Sequence, residues 1–258
     1  MKNTVREKML RGEKTLGIFM ELGTATVAEC LGLAGMDYLI IDTEHGPFDP
    51  FAALDFIRAA RLYNVTPFAR VQEISRAAIL KLLDVGAQGL IIPSVNTVAE
   101  AEAIVSYGKY MPRGQRGVAA AAGPGFWYED YATQGMAHYF DFSNRETMLI
   151  PQCETLGCLE HLEEIVAIDG IDGIFVGPYD LSTAMGIPGE FDKPEFREAV
   201  RHIQAVCAAA KKPTLIFAGT EQAAREDFAL GYDSVAYSMD AMLLVNACKA
   251  ARESILGK

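Results

Sequence analysis

Carboxylate, guanidinium and imidazole side chains stand where several short apolar runs of this 258-residue chain end, and such groups suit chemistry on a small oxygen-rich substrate. One run closes with Asp42-Thr43-Glu44-His45-Gly46, another with Arg70, a third with Gln152-Cys153-Glu154, and a fourth with Gly177-Pro178-Tyr179-Asp180. Glu154 and Asp180 would repel each other unless something positive lies between them, and a divalent cation is the simplest answer. Oxygen ligands without His or Cys favour a hard, octahedral ion, Mg²⁺ or Mn²⁺ with Co²⁺ also admissible. Two carboxylates leave positions for water and for the carboxylate and keto oxygens of a 2-oxo acid. The alternative is that both acids cap helices or pair with arginines.

Arg70 would face the same oxygen. A guanidinium beside a developing enolate stabilises charge that appears only in the transition state, and one such donor is worth about 10²–10³ in rate. Its alternative role is a buried ion pair. His45 follows Asp42 by three residues, a spacing at which an aspartate can orient an imidazole as general base, the alternative being a histidine that caps or packs in its loop.

For these groups to meet, the runs that carry them must lie side by side. Apolar runs alternate with amphipathic stretches along the chain, and the β-then-α rhythm predicts strands at Leu16–Met20, Tyr38–Asp42, Thr66–Val71, Gly89–Pro93, Met148–Glu154, Gly173–Gly177, Pro213–Phe217 and Ser234–Tyr237. Runs such as Leu39-Ile40-Ile41 suit parallel strands covered on both faces. Asp49-Pro50 reads as an N-cap followed by Pro at the first helical position, and Thr97-Val98-Ala99-Glu100 as a capping box. Eight strand–helix pairs in a chain of this length predict an α/β fold of the (β/α)8 TIM-barrel kind, whose catalytic groups sit at strand C-terminal ends. No G-x-G-x-x-G follows a predicted strand, which speaks against a doubly wound nucleotide-binding sheet. Pro151, inside a predicted central strand, implies late or irregular pairing there.

The whole chain, 1–258, reads as one barrel domain with two additions. The 111–147 segment, before the fifth strand, is far longer than an ordinary connection and is expected to be a lid, a binding loop or an oligomer contact, or else an excursion packed outside the barrel. The Ala- and Leu-rich segment 240–256 forms the C-terminal helix.

Composition removes other classes. With 23 basic against 34 acidic residues, a net charge of −11 and no Lys/Arg block, the chain is unsuited to nucleic acid. No apolar stretch is long enough to span a membrane and no signal-type segment opens the chain, so a cytoplasmic location is expected. Its 5 cysteines form no C-x-x-C pair, and His45, His138, His161 and His202 form no metal-binding pair. The lysines fall outside every predicted strand, which disfavours a Schiff-base mechanism and leaves a metal as electron sink.

The chain resembles the HpcH/HpaI aldolases, class II pyruvate aldolases of aromatic and sugar-acid catabolism. The likeness covers nearly its whole length. It is carried by Gly35-Met36-Asp37-Tyr38 leading to Asp42-Thr43-Glu44-His45-Gly46-Pro47, by Arg70-Val71, by Leu83-Asp84-Val85-Gly86-Ala87-Gln88-Gly89 leading to Pro93, by Gln152-Cys153-Glu154-Thr155, and by Gly177-Pro178-Tyr179-Asp180-Leu181-Ser182. The resemblance implies a barrel of the phosphoenolpyruvate/pyruvate-binding type, with Glu154 and Asp180 as metal ligands and Arg70 as partner of the enolate and substrate carboxylate. It further implies Asp42 and His45 as the acid–base pair, Gln152 as a hydrogen-bonder in the pocket, and backbone amides around Gly177, Tyr179 and Asp180 as the carboxylate cradle, with Pro178 also lining the substrate site. Asp84 is implied to reach a neighbouring subunit's site in a homo-oligomer, typically a hexamer built as a trimer of dimers, with 240–256 exchanged between subunits.

The expected reaction is reversible cleavage of a 4-hydroxy-2-oxo acid to pyruvate and an aldehyde. Rival readings are an oxaloacetate decarboxylase, an acyl-CoA lyase of the citrate or malyl type, and a non-catalytic ligand-binding barrel. A CoA enzyme should offer phosphate-binding groups, and no basic cluster beyond Arg113 and Arg116 is present. Three features depart from the family pattern: Tyr179 where a small residue is usual, Pro151 inside its strand, and after Arg116-Gly117 an uncharged run ending Gly123-Pro124-Gly125, which puts in doubt an acceptor recognised by charge there.

Overall fold

Alternation along the strands decides the architecture. In Tyr38–Asp42, Tyr38 and Ile40 point into one apolar cluster while Leu39 and Ile41 point into another, and the same division separates Phe68 from Ala69, Ile91 from Leu90, and Phe175 from Ile174. Strands apolar on both faces must be covered on both, and closing the sheet on itself beneath an outer layer of helices achieves this. The computed structural model, which describes residues 2–257, has this form. Strands β1 (Thr15–Met20), β2 (Tyr38–Asp42), β3 (Thr66–Arg70), β4 (Gly89–Ile92), β5 (Met148–Cys153), β6 (Ile174–Val176), β7 (Thr214–Ala218) and β8 (Ser234–Met239) pair in parallel, in sequence order, into a closed barrel. The sequence-predicted strands coincide with these to within a residue or two at each end.

The barrel is filled, not hollow. Large rings fit because glycines face them: a Cβ on Gly17 would lie 2.2 Å from the Tyr38 ring, and one on Gly89 would lie 2.5 Å from that of Phe68. Below, Val5 and Met9 of the helix Thr4–Leu10 join the interior cluster and close the N-terminal end of the barrel. Asn3 secures this plug, its side-chain amide donating to the carbonyls of Gln88 and Glu146 at 3.0 Å each. The plug fills the lower end of the barrel interior, and barrels of this kind carry their chemistry at the C-terminal ends of the strands.

Both helix starts read from the sequence are present. The Asp49 side chain accepts from the Ala52 N–H at 2.9 Å, ahead of Pro50. Thr97 and Glu100 form the reciprocal box, with the Thr97 N–H donating to Glu100 at 2.9 Å and the Glu100 N–H to Thr97 at 3.2 Å. Around Pro151 the ladder is lopsided: β5 pairs with β4 from Met148 to Pro151 but with β6 only from Gln152 onward, as a residue without an N–H requires.

The 111–147 segment leaves the lower end of the helix Val98–Gly108 and returns to the start of β5. It contains a short 3-10 turn (Gly125–Trp127) and the helix Met136–Glu146. Buried Lys109 ties its two ends together, donating to the Asn144 carbonyl at 2.9 Å, the Thr147 carbonyl at 2.5 Å and Asp172 at 2.8 Å. Between those ends the Gly123 N–H donates to the Asp84 carbonyl at 2.7 Å, and Gly117 lies against Arg76 and Leu80. The segment thus packs beneath the barrel and along the outer side of the helix Arg76–Val85. Among the described residues its contacts lie at this end of the barrel and on that helix.

The helix Asp240–Leu256 differs from the others. Asp240 is buried at its start, but Met242, Leu244, Val245, Ile255 and Leu256 are exposed, and Leu243 alone among its apolar side chains packs partly on the core. Among the described residues no helix is long and apolar enough to cross a membrane.

Candidate active site

Because side chains alternate, Asp42 shares the inward face of β2 with Ile40, Arg70 that of β3 with Phe68, and Gln152 that of β5 with Ile150. Asp42 and Arg70 are also register partners across β2 and β3. Two opposite charges, adjacent and buried, form a fork: Arg70 Nε donates to Asp42 Oδ1 at 2.9 Å and Nη2 to Oδ2 at 2.5 Å. The third guanidinium nitrogen lies 3.2 Å from Glu44 Oε2, and the Phe19 ring backs the group at 4.9 Å. Burial alone would raise the Asp42 carboxyl, but the Arg70 fork and backbone donation outweigh it and hold the group below its ordinary range.

Across the mouth, Glu154 follows β5 and Asp180 lies in the first turn of the helix Pro178–Ala184. The Ser94 N–H donates to Glu154 Oε1 at 2.6 Å, and the Gln152 amide donates to its other oxygen. Burial, opposed by that Ser94 bond and reinforced by the Asp180 and Glu44 carboxylates, pushes Glu154 up to about 7. Gly177 keeps space open here, since a Cβ on it would stand 2.8 Å from Gln152 Nε2 and 2.9 Å from Glu154 Oε2.

These residues suit a divalent cation. Carboxylates crowd the mouth with Arg70 already engaged, and Gln152 Oε1 is buried with no hydrogen-bond partner among the described residues. Among the described residues no three His, Cys, Asp or Glu side chains converge on one point, so a cation would rest on Glu154 and Asp180 with water and substrate oxygens completing its shell. No lysine lies in a strand among the described residues.

Of the residues singled out from the sequence, Asp42, Arg70, Gln152, Glu154, Gly177, Pro178, Tyr179 and Asp180 meet at this mouth. His45 stands at its rim, with its ring 70% exposed and 4.0 Å from Glu44. Asp42 Oδ1 accepts the backbone N–H of Glu44 at 3.1 Å and of His45 at 3.3 Å, so it shapes the loop instead of gripping the imidazole. Asp84 is elsewhere, in the last turn of the helix Arg76–Val85, paired at 2.9 Å with Arg116.

Sequence reasoning passed over Glu21, which follows β1 and hydrogen-bonds Asp42. Burial first, then that bond and the charges of Asp42 and Asp240, push it up to about 7. Glu44, quoted in its motif without a role, touches Arg70. The strand-end rule that found Asp42 would have found Glu21 had it been applied to Met20-Glu21.

Residues 15–247 match the family model described as HpcH/HpaI aldolase/citrate lyase. The chain is 35% identical over 253 residues, 97% of either protein, to the hydroxypyruvate/pyruvate aldolase of Sagittula stellata. It is 34% identical to the 2-keto-3-deoxy-L-rhamnonate aldolase of Escherichia coli K12, covering 96% of this chain and 91% of that one. A solved structure of an HpcH/HpaI aldolase/citrate lyase family protein from Burkholderia cenocepacia superimposes with a TM-score of 0.89 at 29% identity, covering 98% of this chain and 99% of the other.

Proposed function

The chain belongs to the HpcH/HpaI aldolase/citrate lyase family, and from that premise we propose that it is a divalent-metal-dependent aldolase that reversibly cleaves a 4-hydroxy-2-oxo acid to pyruvate and an aldehyde. The observation that carries the reading is the opposition, across one barrel mouth, of the Glu154 and Asp180 carboxylates to the Asp42-held guanidinium of Arg70.

Glu154 and Asp180 would hold Mg²⁺ or Mn²⁺, which would supply Lewis acidity toward the keto group. The protein supplies position and protons. The first-turn N–H groups of Tyr179 and Asp180 have no partner within their helix and suit the carboxylate of the 2-oxo acid, while Gly177 leaves room for it. Arg70, fixed by Asp42 and Glu44, donates to the keto oxygen as it gains negative charge, at no cost in reorganisation. Gln152 steadies Glu154. His45 at the rim exchanges the proton with the substrate's hydroxyl, through a water where its reach falls short.

The reading extends to the assembly. The exposed apolar side chains of 240–256 suit exchange between subunits of a homo-oligomer, a hexamer arranged as a trimer of dimers. Asp84, which is remote from its own mouth, would then serve a neighbour's site. A cytoplasmic location accords with this chemistry.

The test is solvent exchange. Pyruvate incubated in D₂O with the protein and Mg²⁺ or Mn²⁺ is expected to take deuterium into its methyl group. Exchange no faster than in protein-free buffer would overturn the reading.

A further inference from the structure

An aromatic wall runs outward from Arg70 along one side of the mouth. Phe19 of β1 carries the guanidinium at 4.9 Å, and Phe217 of β7 meets Phe19 edge-on at 5.8 Å. Tyr179 meets Phe217 at 6.1 Å and Phe191 at 5.1 Å, again edge-on. Phe19 is buried, whereas Tyr179 remains 53% exposed. Among the described residues its hydroxyl has no hydrogen-bond partner, and it lies over the backbone at Gly219, where a Cβ would come within 3.4 Å. An exposed ring braced by two others, one residue from a proposed metal ligand, is a built surface with no structural duty of its own.

The charge around it has one sign. Glu21, Asp42, Glu44, Glu154 and Asp180 gather at the mouth, and the guanidinium of Arg70 is already held by Asp42 and Glu44. Even with two of these carboxylates neutralised by a divalent ion, an aldehyde carrying its own carboxylate would find excess negative charge, with the Arg70 guanidinium already engaged. An uncharged aldehyde pays no such penalty, and its C–H groups can lie against the negative face of a ring.

We propose that Tyr179 is the residue that selects the aldehyde: its ring receives the carbons beyond the bond-forming carbon of an uncharged, hydroxylated aldehyde, while the acidic mouth turns away carboxylated ones. This rests on the aldolase reading above and deepens it.

The experiment measures kcat/KM for aldol addition of pyruvate to acetaldehyde, glyceraldehyde and succinic semialdehyde, with wild-type protein, Tyr179→Ala and Tyr179→Phe, all with metal. Ratios between aldehydes within one variant cancel any general loss. The wild type is expected to prefer glyceraldehyde to both others. Tyr179→Ala is expected to lower the glyceraldehyde-to-acetaldehyde ratio roughly three- to tenfold, and Tyr179→Phe, which keeps the ring, to hold it within about twofold. An unmoved ratio in Tyr179→Ala, a loss in Tyr179→Phe as large as in Tyr179→Ala, or a wild type that prefers succinic semialdehyde would each overturn the proposal. Should the wild type fail to exchange the methyl protons of pyruvate, the aldolase reading falls and takes this inference with it. Exchange with an unmoved ratio removes this inference alone.

Discussion

Buried charge is handled in opposite ways at the two ends of the barrel. At the lower end Lys109 has no exposed surface, yet its ammonium meets two carbonyls and Asp172, and Asp172 also accepts the Leu149 N–H at 2.9 Å. Nearby Glu146 accepts the Asn3 N–H at 2.9 Å and pairs with Arg145. At the upper end, carboxylates outnumber the cations that face them, Glu154 and Glu21 are pushed up to about 7, and among the described residues Gln152 Oε1 has no partner. Where polar groups are matched to one another they hold the chain together. Where they are left wanting, they suit the cation and substrate proposed above.

The largest effect that tests this contrast belongs to the matched end. Lys109→Met removes the cation and strands Asp172 and the Asn144 and Thr147 carbonyls, which should cost about 3–5 kcal/mol of stability, read as a lower denaturation midpoint in urea. Pyruvate exchange per folded molecule should persist, because the proposed site lies at the other end of the strands. Midpoints equal to wild type would show that Lys109 is no anchor.

At the mouth the expectation inverts. Arg70→Lys keeps a positive charge but loses the planar fork that meets Asp42 through two nitrogens, and kcat should fall about 10²–10³-fold. The same change should leave stability nearly intact, since Asp42 retains the Glu44 and His45 backbone donors. Turnover within a few-fold of wild type would reduce Arg70 to a structural ion pair, and a collapse in stability would move this end of the barrel into the matched class.

Most of the fold was legible in the sequence because a parallel barrel writes itself locally. Apolar runs such as Leu39-Ile40-Ile41 and the caps at Asp49 and Thr97 depend on neighbours in the chain, and each lies where the pattern placed it. The gathering of the candidate site was legible through one further rule, that strand ends carry chemistry, which reached Asp42, Arg70, Glu154 and Asp180, all at one mouth. Geometry between elements was not legible. Sequence spacing set His45 beside Asp42, whereas the loop turns the Asp42 carboxylate toward backbone N–H groups and Arg70. Nor does spacing disclose that the 111–147 segment departs from the lower end, because that depends on which way the preceding helix runs. Glu21 went unread for a different reason: one carboxylate after one strand acquires meaning only when Asp42 and Asp240 are seen against it.

The smallest effect concerns an exception to the contrast. Asp227 lies in the last turn of the helix Glu221–Leu230, far from the mouth, yet burial, with the Glu226 charge adding to it, pushes it up to about 6. A carboxylate there also opposes the negative end of its helix. An acid whose folded-state pKa exceeds its unfolded value binds its proton more tightly when folded, so it favours the fold below pH 4 and loses that contribution as pH rises through about 6. Asp227→Asn should therefore raise Tm by about one to two degrees at pH 8, with the gain vanishing at pH 4 and the glyceraldehyde-to-acetaldehyde ratio unchanged. A gain equal at both pH values would show that the charge is not what costs stability. A shift in the aldehyde ratio would mean that Asp227 too is matched to a ligand, and the division between the two ends would fail at this residue.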